Sequence, residues 1–175
     1  MKDLATVYKD RITLEFADEF ELALLNAALS NLAKADLLLR VNNFAFALGE
    51  LIRYVLQNSS PDEKVSACDW FKADPTSSSG ITQRHRIKYA VQGELSDIYV
   101  SKQLGLDDLE EKIKELLESI DQLNGYKRVE PNRIFLSDAE VETLAIECLE
   151  ATLGIVEKIS ETRHQVQKLV AGQME

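Results

Sequence analysis

Between Val41 and Gln57 the chain reads VNNFAFALGELIRYVLQ, and Phe44, Leu48, Leu51 and Val55 recur at steps of four, three and four residues. Such steps place all four side chains in one stripe along a helix, so this segment is expected to be a helix with one face in a core. A second stripe, Asn43, Phe46, Glu50, Arg53 and Gln57, runs beside the first and mixes polar with charged groups. A buried Glu or Arg needs a partner, because an unpaired buried charge is strongly unfavourable. The helix therefore either lies at a domain edge or carries a polar site.

The rest of the chain extends the helical reading. Three prolines and seven glycines in 175 residues are few breakers, which favours long helices over a many-stranded sheet. Asp18 with Glu21, Asp107 with Glu110 and Ser137 with Glu140 have the spacing of capping boxes and mark three helix starts. Residues 1–17, with Leu4, Val7, Ile12, Leu14 and Phe16, read as an arm or short helix. In the segment from Phe20 to Leu32, the residues Phe20, Ala23, Leu24, Ala27 and Ala28 form the expected buried face. Pro61 ends the helix that starts near Val41, and Glu63–Phe71 is expected to be a short helix whose aromatics plug the core, with Trp70 largely buried.

The stretch KADPTSSSG (72–80) is the clearest loop and is expected to be flexible. Thr82 offers an N-cap to a helix carrying Ile87, Tyr89, Val91, Leu95, Ile98 and Tyr99, with Gly93 as a point of kinking and Gly105 as its stop. A further helix spans Leu109–Leu123, and 126–136 reads as irregular around Pro131. Val141, Leu144, Cys148, Thr152, Ile155, Ile159, Val166 and Val170 keep a near-heptad period over 137–171. At about 1.5 Å per residue that helix is on the order of 50 Å long, more than a compact bundle of this size needs. The sequence thus predicts an all-α bundle of five or six main helices in a single domain. Exposed near its end, Val166, Leu169 and Val170 would favour a homodimer through this C-terminal helix.

Composition limits the chemistry. Thirty acidic against twenty basic residues give a net charge of −10, so any nucleic-acid contact needs a local basic patch. The run Thr82-Gln83-Arg84-His85-Arg86-Ile87-Lys88 is the candidate. Arg84, Arg86 and Lys88, helped by Arg53, are the candidate phosphate-binding residues, and the helix start adds its own partial positive charge. The plainer alternative is a solvated first turn paired with carboxylates. His85 is the one candidate for acid–base work. Glu50 and Arg53 can pair one helical turn apart; with Trp70 and Asp69 they define a candidate polar cleft.

Cys68 and Cys148 are far apart, form no CxxC and read as small packing groups in a reducing compartment. Metal-ligand spacing is missing around His85, Asp69 and Cys68, and no phosphate loop or dinucleotide fingerprint occurs, so neither metal nor cofactor is expected. The start MKDLATVYKDR has no apolar signal region, and no run reaches the roughly 18 apolar residues of a membrane span, which points to a cytoplasmic protein.

Four stretches carry a resemblance: DEFELALLNAALSNL (18–32), RVNNFAFALGELIRYVL (40–56), DEKVSACDWFK (62–72) and GITQRHRIKYAVQGELSDIYV (80–100). Together they resemble the helical region of predicted nucleases associated with prokaryotic Argonaute-type (pPIWI) defence systems, which is similar in kind to the HEPN helical domains of toxins and phage-defence proteins. The resemblance implies a HEPN-like bundle, a role in bacterial antiviral defence and a partner defence protein or nucleic acid. HEPN ribonucleases place an Arg before their His with four to six residues between. Here those positions hold Gly80, Ser79 and Ser78 before His85, and Ile159, Lys158 and Glu157 before His164. The overlong last helix, the missing catalytic motif and the resemblance together point to a non-catalytic binding or assembly module, with a nuclease built noncontiguously around His85 as the alternative.

Overall fold

Two helix starts show how local chemistry sets the architecture. The Asp18 carboxylate accepts from the amides of Phe20 (2.8 Å) and Glu21 (3.2 Å). At the other cap, the Ser137 amide donates to Glu140 Oε2 (2.8 Å) while the Glu140 amide donates back to Ser137 Oγ (3.4 Å). Each satisfies amides that a helix start leaves without partners. The computed structural model describes residues 4–8, 10–11, 18–34, 38–103, 107–131 and 136–172. Among them are seven helices: α1 (Leu4–Val7), α2 (Glu19–Ala33), α3 (Arg40–Ser59), α4 (Asp62–Ser66), α5 (Gln83–Gln92), α6 (Leu109–Tyr126) and α7 (Asp138–Gly172). A π-helical turn covers Tyr99–Gln103. There is no strand among the described residues, and the fold is all-α with five helices of seven residues or more. Ile12, Leu14 and Phe16 of the expected arm, the expected stop at Gly105 and residues 132–135 of the expected irregular stretch lie outside the described residues.

The chain divides into two units, 1–54 with 119–156 and 55–118 with 157–175, and α3, α6 and α7 give residues to both. In the first unit, Phe44, Leu48 and Leu51 of α3 are fully buried, as the stripe predicts. The neighbouring stripe faces solvent: Phe46 is 57% exposed, and Arg53 is exposed beside the half-buried Glu50. The buried charge on this helix is Arg40, whose Nη2 sits 2.6 Å from Asp138 Oδ1. That hydrogen bond and the charge behind it hold the Asp138 carboxyl below its ordinary value. Helix α2 buries Leu25, Ala28 and Leu32; of the expected face Ala28 is buried and Leu24 half-buried, whereas Phe20, Ala23 and Ala27 are exposed. Phe20 is instead half exposed, with its ring edge-on to Tyr54 at 4.7 Å.

In the second unit the buried side chains include Leu56, Val65, Ile87, Val91, Ile113 and Ile159. Gly93 ends α5 instead of kinking it: its φ of +62° and ψ of −136° are open to glycine, and its amide closes on Tyr89 O at 2.9 Å. The expected cap at Asp107–Glu110 does not form. Ser101 donates to Asp107, and Glu110 pairs with Arg84 and Lys88. The loop over 72–80 is held by its own bonds: the Asp74 amide donates to Gly80 O (2.9 Å), Thr76 N–H to Asp74 Oδ1 (2.8 Å) and Ser77 Oγ to Ile81 O (2.8 Å). At the end of α7, Val166 is buried within its own unit, and Leu169 and Val170 are half-buried, so the apolar strip expected there is largely covered.

Candidate functional site

The basic run opens α5, as Thr82 predicts, but its side chains are engaged in holding the second unit together. Arg84 forms an ion pair with Glu110 of α6. Arg86, only 15% exposed at its side chain, donates to Ser60 O (2.8 Å) and to Asp62 Oδ1 (2.6 Å), tying α5 to the turn between α3 and α4. Ser60 is fully buried and returns a bond from Oγ to Arg86 O (2.7 Å). Lys88 is buried with its Nζ 2.7 Å from Asp97 and 3.3 Å from Glu110, and 5.0 Å from the centre of the Trp70 ring. Burial pushes the Asp97 carboxyl up, but hydrogen bonds from Lys88 and Gln92 outweigh it and leave the group below its ordinary value. All three cations therefore meet carboxylates, the plainer of the two readings that the run allows.

His85 is spent in the same way. Its Nδ1 accepts the Thr82 amide at 3.1 Å, the part that Glu or Gln plays in a capping box, and its ring lies edge-on to Phe71 at 5.1 Å. Accepting at Nδ1 requires an unprotonated nitrogen there. Burial, with Lys88 and Arg84 adding to it against Asp74, lowers the pKa from its ordinary 6.5. A His held neutral in the fold takes up its proton more readily once unfolded. Its contribution to stability is thus complete above pH 6.5 and is lost as the pH falls from there towards the lower folded value. His85→Gln can keep the cap without titrating, so its thermal stability should fall less than that of the wild type between pH 7 and about pH 5, the range in which His titrates. Parallel pH dependence in the two proteins would show that the ring does not control this step.

Trp70 is half-buried, not sealed in the core, because its Nε1 donates to Gly93 O (3.1 Å) at the edge of the unit. Cys68, beneath it, is buried, donates to Lys64 O (3.2 Å) and has its thiol pKa pushed up by burial, so it packs and is not activated. Asp69 is exposed on the turn before Trp70. Glu50 and Arg53 pair with each other at 2.8 Å in the first unit, whereas Trp70, Asp69 and the basic run belong to the second. Among the described residues no three His, Cys, Asp or Glu side chains come together as metal ligands, and no helix is long and apolar enough to cross a membrane.

A concavity that the sequence does not announce lies in the second unit. It is a groove of about 500 Å3 lined by the last turn of α3, Lys64 of α4, the end of α5 and one face of α7. Arg163, Val166, Gln167 and Val170 share that face because they are three, four and seven residues apart. Arg163 Nε donates to Ala90 O at 2.7 Å, one of the carbonyls that the end of α5 leaves without a helical partner. No Asp or Glu lines the groove, although the chain carries thirty of them.

An all-α chain with its basic run paired to carboxylates and a groove without an acidic wall is, by its architecture, a helical domain. Its family is specific: the chain belongs to the predicted pPIWI-associating nucleases, whose family model matches residues 13–152. No curated protein and no solved structure matches it.

Proposed function

We propose that the chain is a non-catalytic helical binding module that works beside a pPIWI protein in a bacterial antiviral defence system. The family name supports a pPIWI protein as the partner, and a defence setting is in keeping with it. The observation that carries the non-catalytic part is His85: the candidate acid–base group caps α5 through Nδ1, while Arg84, Arg86 and Lys88 around it are bonded to carboxylates. Groups committed to the fold in this way are poorly placed to move a proton or to hold a phosphodiester. Co-purification of the tagged chain with a co-expressed pPIWI protein tests the association. Incubation with labelled RNA and DNA, with magnesium, manganese or EDTA, tests the rest. Retention of the partner without cleavage is the expected outcome, and metal-dependent cleavage that survives further purification would overturn it.

The word nuclease in the family name favours a second reading, in which the chain cleaves nucleic acid through residues outside the basic run. His85→Gln separates the two nuclease variants, because a site built around His85 loses its activity in that protein. A homodimer through the C-terminal helix has to use Leu169 and Val170, which are half-buried, since Val166 is covered. Light scattering at low micromolar concentration gives the mass. A dimer that becomes a monomer on Leu169→Glu with Val170→Glu supports this interface, and a monomer in the wild type ends it.

A further inference from the structure

We infer that the groove between α4, the end of α5 and α7 binds a phosphorylated nucleoside. Its two cations, Lys64 and Arg163, stand on different elements and are not paired with any carboxylate among the described residues, unlike Arg84, Arg86 and Lys88. In a chain of net charge −10, a concavity with two cations and no acidic wall favours an anion over a cation. Arg163 is pre-oriented, since its Nε is fixed to Ala90 O at 2.7 Å, and a guanidinium held by one edge presents its remaining N–H groups in a fixed plane.

Inorganic phosphate alone does not account for the rest of the lining. The half-buried ring of Tyr89 with the half-buried side chains of Leu95 and Val170 offers a planar and apolar surface, while Asn58 and Gln167 add amide donors and acceptors. A volume of about 500 Å3 is within the range of sites for small organic ligands. Phosphate on the cations, a base against Tyr89 and edge contacts from amides use each class of group present. A free mononucleotide and the phosphorylated end of a nucleic-acid strand share this chemistry. The inference is independent of the pPIWI association, which co-purification reads separately.

The test titrates the full chain at low salt with AMP, a 5′-phosphorylated dinucleotide, adenosine, inorganic phosphate and an acidic peptide, followed by calorimetry. Saturable binding of AMP or of the dinucleotide is expected, with adenosine and phosphate each about tenfold weaker or worse. AMP binding as tightly as the dinucleotide identifies a free nucleotide as the ligand, and binding of the dinucleotide alone identifies a strand end. Lys64 is exposed, so Lys64→Glu should leave the melting temperature unchanged and weaken binding about tenfold or more. Arg163→Gln should weaken it as well, but it also removes the bond to Ala90 O, so Lys64→Glu decides. Arg84→Glu, outside the groove, should bind like the wild type. No saturable binding of either nucleotide, binding of the acidic peptide alone, or undiminished binding in Lys64→Glu would each overturn the assignment.

Discussion

Phe44→Ala is expected to lower the unfolding free energy by about 3–5 kcal/mol, because it leaves a cavity the size of a benzyl group where the neighbours relax only in part. Phe44 is fully buried in the second turn of α3, with Leu48 and Leu51 on the same stripe, also fully buried. Phe46→Ala, two residues on, is the internal control. Its ring is 57% exposed and lies 5.8 Å from Lys127 Nζ, so its removal should cost less than about 1 kcal/mol. Urea denaturation followed by circular dichroism measures both. A loss at Phe46 as large as that at Phe44 would mean that the wrong face of α3 has been assigned to the core.

The same contrast shows what the sequence makes legible. The spacing of Phe44, Leu48 and Leu51 picks out one face because polar residues occupy the next one. In α2 it succeeds only at Ala28, since Leu and Ala occur almost all round the helix and the pattern does not favour Phe20, Ala23 and Ala27 over Leu25 and Leu32. Caps follow a similar rule. Ser137–Glu140 forms its box because nothing competes for the carboxylate, whereas Glu110, at the same spacing from Asp107, is taken by two cations from α5. A local motif loses when a charged partner arrives from elsewhere in the chain, and the partner's position is not written in the motif. Gly93 is a related case: its place in the pattern suggests a kink, but only its positive φ shows that the helix ends there.

The candidate site divides along the same line. The composition of the run from Thr82 to Lys88 identifies cations and a titratable ring correctly. What they do depends on Asp62, Asp97 and Glu110, none of which is adjacent to them in sequence. The groove is harder still to read. Lys64 and Arg163 are unremarkable on their own helices, and only the fold, with the bond from Arg163 to Ala90 O, brings one face of α7 to the end of α5. The signal that was available is modest: Arg163 is followed at helical spacing by Val166 and Val170, a cation on an otherwise apolar edge.

Lys88→Glu is expected to be the most damaging charge change in the basic run, with a loss of about 3–5 kcal/mol, the range for leaving an uncompensated charge at a buried position. Lys88 is 8% exposed, and its Nζ lies between Asp97 and Glu110 with the Trp70 face 5.0 Å away. A glutamate there puts a third carboxylate against two others and removes the cation from the ring. Lys88→Met should cost far less, because it keeps the aliphatic stem and leaves two carboxylates that are already about half exposed at their side chains and stay hydrated. Arg84→Glu should also cost far less than Lys88→Glu, since both members of its pair are about half exposed and surface pairs contribute roughly 0–1 kcal/mol. The order Lys88→Glu far above Arg84→Glu, measured by urea midpoints at low salt, marks the run as a structural clasp. Near-equal small losses at both positions would mean that Lys88 is not buried against its carboxylates and that the run is free to meet a phosphate.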